Sequence, residues 1–495
     1  MENFFVHSSG SSAMSHGHKY GRPHAFMGNS ASLFHLPRFK STEVESKLDS
    51  QYINEDDDDQ QVLDFPGGKV AFTSEMSFIS ESDDKRIPCY QVLDDNGEPI
   101  GSKSSVQVSL KLLLVPTGLN VEHPYLKLST QGNCSKDVQL HGHPPNDGQH
   151  ILRAQRQGRI SFYLTTSGEE AINIASAAAL TADDLVLPQY REPGVLLWRG
   201  FTLQDFANQC FGNKADSGKA RQMPIHYASK ILNYFAVSSP MATQLPQAVG
   251  VAYSLKMEGK NACVATYCGD GGSSEGDFHA ALNFAAVMEA PVLFICRNNG
   301  WAISTPIEDQ FRSTLPPLSL SSIYIIPDPR GGDGLVVRGR AYGIRSIRVD
   351  GNDALAVYNA IHTAREMAIS EQRPLLVEAL TYRVGHHSTS DDSTKYRPLD
   401  EIEYWKKARD PVNRLRKWVE GNGWWNEKYE SELRSSVRKQ LLESIQIAEK
   451  IEKPPLSDLF TDVYDNLPSN LQEQEKLLRE TIERNPQNYP SDIPI

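Results

Sequence analysis

The sequence predicts an α/β protein built on a mostly parallel sheet flanked by helices, with a helical C-terminal region. Three observations predict it. Between about Gln155 and Leu380, apolar runs of strand length alternate with helical patterns, the rhythm of β-α-β units. Two of those runs, "ACVATYC" (Ala262 to Cys268) and "PVLFIC" (Pro291 to Cys296), lack polar alternation, as expected of strands covered on both faces. From about Asp400 the chain is dense in Glu, Lys, Arg and Leu around Trp405, Trp424 and Trp425, the texture of surface helices.

Taken in order, the first 42 residues are rich in Ser and His and carry Lys19, Arg22, Arg38 and Lys40 against the single acid Glu2. Organelle transit peptides have this composition, and so does a disordered tail without an address. Residues 43–153 read as an N-terminal extension, partly atypical or disordered. Its acid run Glu55 to Asp59 is a solvated loop, because like charges repel, and "RIPCYQVLDDNGEPI" reads as a short strand, an Asn-Gly turn and an exit. Residues 154–400 form the α/β domain, and residues 401–495, including "LQEQEKLLRETIER", the helical C-terminal region.

Bulk properties narrow the function classes. The 495 residues carry a formal charge of −12 without a basic stripe, which argues against nucleic acid or an anionic membrane as the main partner. No apolar run reaches the roughly 18 residues of a membrane span. Six cysteines without C-x-x-C spacing suggest neither a disulfide framework nor a zinc site.

The chemistry concentrates in "CGDGGSSEGDFHAALNFAAVMEAPVLFICRNNGWAIST" (Cys268 to Thr305). Between the two strands, Phe278, Ala281, Ala285 and Met288 recur at helical spacing, with Asp277 expected to cap the helix start. A strand-helix-strand crossover makes the strands parallel, so Asp270 and Asn299 come to adjacent tips at the edge where α/β sheets bind ligands. One carboxylate and one neutral amide oxygen suit magnesium, which shares its shell with waters and phosphates. Two carboxylates would repel a diphosphate. Gly269, Gly271 and Gly272 let backbone approach the phosphates. Either motif alone is ordinary loop punctuation. A calcium loop fails because Gly272 stands where an oxygen ligand is needed and Glu275 where the sharp-turn glycine belongs.

G-D-G followed one β-α-β unit later by N-N resembles the thiamine diphosphate motif. With "AQRQGRISFYLTTSGEEA", "PQYREPGVLLWRGF", "VSSPMATQLPQAVG", "SIRVDGNDALAVYNA" and "TYRVGHHSTSDDSTKYR", the chain resembles the alpha chains of branched-chain 2-oxo acid dehydrogenase from about Ala154 onward, and more weakly before Ser105. The resemblance implies a thiamine diphosphate-binding fold and a mitochondrial matrix enzyme. Its reaction would be decarboxylation of branched-chain 2-oxo acids, with acyl transfer to lipoyl on an acyltransferase core. By the same resemblance Asp270, Asn299 and the Trp301 carbonyl bind magnesium, and Gly271, Gly272 and Arg297 hold the diphosphate. Tyr190 and Arg191 reach the phosphates, Ser239 contacts the cofactor, and Met241 is the wedge that bends it. Ser238, Pro240, Thr243 and Gln244 match a monovalent-cation site, potassium. Read without the resemblance, the same stretch is a helix start with Ser238 or Ser239 as cap and Pro246 in the first turn.

"RVGHHSTSDD" supplies proton-transfer chemistry: two histidines in a polar loop suit it, and the resemblance makes His387 a catalytic and cofactor-contacting residue, with Arg383 and Asp391 holding the loop. Ser388 matches a phosphorylation site under a regulatory kinase and phosphatase, and Pro398 replaces the second site. The glutamate that activates the aminopyrimidine comes from a beta chain in the family, which implies an alpha2-beta2 heterotetramer. Two alternatives stay open: a pyruvate dehydrogenase alpha chain, and a non-catalytic assembly or regulatory isoform. The second is suggested by two departures from the family. Residues 106–152 carry Pro116, Pro124, Pro144 and Pro145 where relatives have a long helix, and residues 314–332, "TLPPLSLSSIYIIPDPRGG", read as an insertion.

Overall fold

The computed structural model of the chain describes residues 62–65, 68–78, 87–100, 154–311, 333–490 and 493–495. The expectations for residues 1–42, 106–152 and 314–332 lie outside the described residues. Among those described, eight strands form one sheet: β1 (Val62–Phe65), β2 (Gly68–Thr73), β3 (Cys89–Tyr90), β4 (Leu185–Leu187), β5 (Val264–Gly269), β6 (Val292–Asn298), β7 (Arg345–Asp350) and β8 (Leu375–Leu380). Their spatial order is β1-β2-β3-β7-β8-β6-β5-β4. Only β1 runs antiparallel to its neighbour. Strands from the stretch read as an N-terminal extension thus lengthen the main sheet, a placement that two-residue β3 gave no pattern to announce.

The helices longer than one turn are α1 (Glu170–Ala179), α2 (Pro193–Trp198), α3 (Leu203–Phe211), α4 (Gln244–Met257), α5 (Gly276–Met288), α6 (Val336–Ala341) and α7 (Ala354–Glu371). The C-terminal set is α8 (Leu399–Ala408), α9 (Pro411–Gly421), α10 (Glu427–Lys450) and α11 (Ser469–Arg484). All seven residues of β6 are buried, which explains the unbroken apolar run. Alternate side chains serve opposite cores: Ala265, Tyr267, Leu293 and Ile295 pack with α1 and α7, while Val264, Cys268, Val292, Phe294 and Cys296 pack with α4 and α5. Each buried Val, Leu or Phe side chain contributes about 1.5–3 kcal/mol, so this pair of strands is a rigid floor for whatever sits on its carboxyl ends.

Details differ from expectation at two helix starts. Asp277 lies inside the first turn of α5; the cap position belongs to Glu275, whose side chain makes no capping bond, so Asp277 acts on the helix dipole instead. Thr243, not Ser238 or Ser239, precedes α4, because the loop makes one more turn before the helix begins; Pro246 does fall in the first turn. The C-terminal helices are tied to the sheet by charge. Asp350, at the end of β7, accepts from Arg409 at 2.9 Å and Arg414 at 2.8 Å. The five described cysteines are free and buried. Among the described residues, no helix is long and apolar enough to cross a membrane.

Candidate active site

Asp270 follows β5 and Asn299 follows β6. The parallel register runs to Gly269 opposite Arg297, and Asp270 N–H donates to the Arg297 carbonyl at 3.2 Å, so the two residues stand on neighbouring tips. The backbone N–H of Asn299 also donates to the Asp270 carboxylate. Asp270 is 1% exposed and Asn299 4%. Burial pushes the Asp270 carboxyl up, and its hydrogen bonds, chiefly the Gln310 amide at 2.6 Å, together with the charge of Arg383, offset this only in part. Among the described residues no cluster of three or more His, Cys, Asp or Glu could hold a metal.

The two asparagines have separate tasks. Asn298 donates to Glu378 on β8 at 2.8 Å and accepts from Gly300 N–H at 3.2 Å, which shapes the turn. Asn299 donates its side-chain N–H to Glu169 at 2.5 Å, which leaves its amide oxygen, already accepting from Trp301 N–H at 3.1 Å, turned the other way. Glu169 also accepts from Arg297 Nη1 at 2.9 Å and lies 3.7 Å from Arg191 Nε. Burial alone would raise the Glu169 carboxyl, but Arg297, Arg191 and the Asn299 amide outweigh it and hold it below the usual range. Gly168 makes the position reachable: at φ +96° it passes so close to the Tyr382 carbonyl that a Cβ would collide with it.

Glu192 completes the frame. One of its oxygens accepts from Arg297 Nε at 2.6 Å and the other from the N–H groups of Gln189 at 2.9 Å and Arg191 at 3.1 Å. Arg297 Nη2 remains buried and without a hydrogen-bond partner. Gln189 accepts from Gly269 N–H at 2.6 Å and donates to the Met241 sulfur at 3.5 Å, which ties Met241 to the tip of β5.

The family model of the dehydrogenase E1 component matches residues 147–324 and 329–457. The chain is 63% identical over 453 residues to 2-oxoisovalerate dehydrogenase subunit alpha 1, mitochondrial, of Arabidopsis thaliana, covering 92% of this chain and 88% of the relative. Subunit alpha 2 of the same plant is 60% identical over 461 residues, covering 93% and 89%. The Homo sapiens alpha subunit is 43% identical over 429 residues, covering 86% and 87%. The chain belongs to the branched-chain 2-oxo acid dehydrogenase alpha-chain family. As a member of this thiamine diphosphate-dependent family, it has residues that fit the cofactor. A buried acid is hydrogen-bonded by neutral donors and feels the charge of Arg383, an amide oxygen is fixed in orientation by Glu169, and a buried guanidinium N–H has no partner.

In this alpha chain the residues read as a monovalent-cation site also converge. Ser238 Oγ lies 3.0 Å from Thr243 Oγ1, and Thr243 donates to the Pro240 carbonyl at 3.2 Å. Gln244 donates to the Tyr267 carbonyl at 2.7 Å while its side-chain oxygen is buried without a hydrogen-bond partner. Three predicted residues also have partners within the protein. Gly271 is required first by the protein, since a Cβ would stand 2.7 Å from Ala302 Cβ, whereas Gly272 has ordinary room. Ser239 turns its hydroxyl to His226. The Trp301 carbonyl already accepts from Arg383 Nη1 at 3.4 Å.

The His387 loop of this alpha chain closes the same end of the sheet. Tyr190 hydroxyl lies 3.3 Å from His387 Nε2, and Arg191 Nη2 donates to the His387 carbonyl at 3.1 Å. Asp391 accepts from His387 N–H at 2.8 Å and from Tyr396 hydroxyl at 2.6 Å. Arg383 contributes through the Ile303 carbonyl at 3.2 Å and the Trp301 carbonyl, not through a direct bond to Asp391. Burial, then the charges of Arg191 and Arg383, push the His387 imidazole down to about 4, so it is neutral at pH 7. Ser388 is half-buried, and its carbonyl accepts from Asp391 N–H at 3.2 Å. Sequence reasoning missed Glu169, Glu192, Gln189 and Gln310. An acid in the first turns of a helix looks like dipole chemistry, and no spacing pointed to their partners more than 100 positions away in the cases of Glu169 and Glu192.

Proposed function

We propose that this chain is the alpha subunit of a mitochondrial enzyme that decarboxylates branched-chain 2-oxo acids with thiamine diphosphate and passes the acyl group to lipoyl on an acyltransferase core. The observation that carries the proposal is the pairing of buried Asp270 with a Glu169-oriented Asn299 on adjacent strand tips. In this reading Asp270, Asn299 and the Trp301 carbonyl hold magnesium. Gly271, Gly272, Arg297, Tyr190, Arg191 and His387 surround the diphosphate. Met241, steadied by Gln189, sets the bend of the cofactor. When bound, thiamine diphosphate supplies the carbon nucleophile and the electron sink for loss of carbon dioxide.

The chain's own part is positioning and proton handling. Arg297, kept charged by Glu192 and Glu169, presents its free N–H to phosphate oxygens. His387, neutral beside Tyr190, can accept a proton and return it during transfer to the acyl acceptor. Ser238, Pro240, Thr243 and Gln244 take potassium and stiffen the Met241 loop. A beta chain in an alpha2-beta2 heterotetramer supplies the glutamate that activates the aminopyrimidine. Ser388, within one residue of His387, takes regulatory phosphate, and about two added negative charges there repel the diphosphate.

The test is co-expression with a beta chain, followed by calorimetric titration with thiamine diphosphate with and without magnesium, and turnover of 3-methyl-2-oxobutanoate against pyruvate. Magnesium-dependent binding and a preference for the branched acid are expected. A complex that binds no cofactor, or prefers pyruvate, overturns the proposal.

A further inference from the structure

One short hydrogen bond joins the segment 223–226 to the loop 238–243. His226 is buried, and its Nε2 lies 2.6 Å from Ser239 Oγ. Its Nδ1 lies 3.2 Å from the Pro224 carbonyl oxygen. A carbonyl only accepts, so Nδ1 carries the ring proton. In a neutral imidazole Nε2 is then the acceptor and the Ser239 hydroxyl the donor. The one proton of that hydroxyl is committed to His226, and Ser239 can offer the site acceptor atoms only.

The support behind His226 is firm. On α3, Gln209 accepts from Ile225 N–H at 3.0 Å and donates to the Met223 carbonyl at 2.8 Å. Ile225 sits at φ +72° and Ala242 at φ +65°. The left-handed region is costly for any L side chain and most for a β-branched one, and it persists where the surroundings over-determine the backbone. Two such residues therefore flank the contact, one on each segment. The ends of the loop have other anchors, Ser238 to Thr243 and Met241 to Gln189. Between them, His226 is the anchor of Ser239.

We propose that His226 is a positioning residue for the cofactor. It locks Ser239 as an acceptor and thereby sets where Met241 stands. The inference rests on the cofactor site proposed above. Its test uses the assembled alpha-beta complex with His226→Leu, His226→Gln, Ser239→Ala and the double variant His226→Leu/Ser239→Ala. Gln keeps an acceptor near the Nε2 position and Leu does not.

Expected are thiamine diphosphate affinity about tenfold weaker for His226→Leu, most of it restored in His226→Gln, and a double variant no weaker than His226→Leu alone. The cofactor KM should rise while kcat at saturating cofactor changes little. Wild-type affinity in His226→Leu, or losses that add in the double variant, overturn the proposal. If His226→Leu does not assemble, the comparison of Ser239→Ala, expected weak, with His226→Gln, expected near wild type, decides in its place. Nitrogen-15 histidine spectra of the cofactor-free complex give an independent readout. An Nδ1–H tautomer that responds to Ser239→Ala is expected, and an Nε2–H tautomer sinks the inference even if the cofactor site stands.

Discussion

Glu169 holds the side-chain amide of Asn299 at 2.5 Å, and through this bond a residue ahead of α1 fixes the Asn299 amide oxygen on the side of Trp301 N–H. The Glu169 carboxylate also pairs with buried Arg297 at 2.9 Å. The residues proposed to hold metal and phosphate, Asn299 and Arg297, thus share one support, and a change there should be felt by both.

Glu169→Gln keeps an acceptor for Asn299 but sets an N–H against Arg297. A buried guanidinium that loses a charged partner costs about 3–5 kcal/mol, reduced here because Glu192 remains. We expect denaturant unfolding of the alpha-beta complex to show a loss of about 3 kcal/mol, together with cofactor affinity weakened at least about tenfold. Unchanged stability would show that Glu192 alone suffices.

Asp270→Asn should separate stability from binding. Burial raises the Asp270 carboxyl, so at pH 7 its ionised form is a cost to the folded chain in the absence of a cation. The amide removes that cost. The variant is expected to melt at or above the wild-type temperature without magnesium, yet to lose the rise in melting temperature that magnesium and thiamine diphosphate give the wild type. A variant that melts lower without any ion present contradicts this account.

The strands, the crossover and the Asp270 and Asn299 tips were legible because each depends on local pattern: seven buried residues in β6, helical spacing in α5, glycines in the turn. What lies beneath the tips was not. Glu169 meets Arg297 across 128 positions and Glu192 meets it across 105, and such pairs leave no periodic trace. His226 was equally silent, since a single histidine before a loop gives no sign that a serine 13 residues on will spend its proton there. Gly271 was marked for the right residue type with an incomplete reason, because its crowding by Ala302 arises only when the turn after β6 folds back.

That crowding distinguishes two neighbouring glycines. Gly271→Ala brings a Cβ to 2.7 Å from Ala302 Cβ, and the short hairpin in which Trp301–Ala302 pairs with Thr305–Pro306 must shift. Overpacking of this kind costs about 1–3 kcal/mol. Gly272→Ala meets its nearest atom at 3.5 Å, within ordinary contact. Cofactor-free melting should therefore drop for Gly271→Ala and stay for Gly272→Ala. Any defect of Gly272→Ala is expected only on titration with the diphosphate-bearing cofactor. Equal melting of the two variants would mean that the hairpin yields freely.

The His387 loop should loosen in acid. In the folded chain burial and the charges of Arg191 and Arg383 hold the imidazole near 4, whereas in an opened loop it titrates near its ordinary value of about 6.5. Between those limits the open state binds more protons than the closed one. The stabilising contribution is therefore fully present above about pH 6.5 and is lost as pH falls toward 4, by about 3 kcal/mol across the whole window. The loop's anchors are His387 N–H to Asp391, Tyr396 to Asp391 and Arg397 to the Gly385 carbonyl at 2.9 Å. Amide exchange over residues 385–397 of the cofactor-free complex, corrected for the intrinsic pH effect, should be faster near pH 5 than near pH 7.5. His387→Asn, which cannot titrate, should exchange with equal protection at both. If the wild type is as well protected near pH 5 as near pH 7.5, the imidazole is not the group that holds the loop closed.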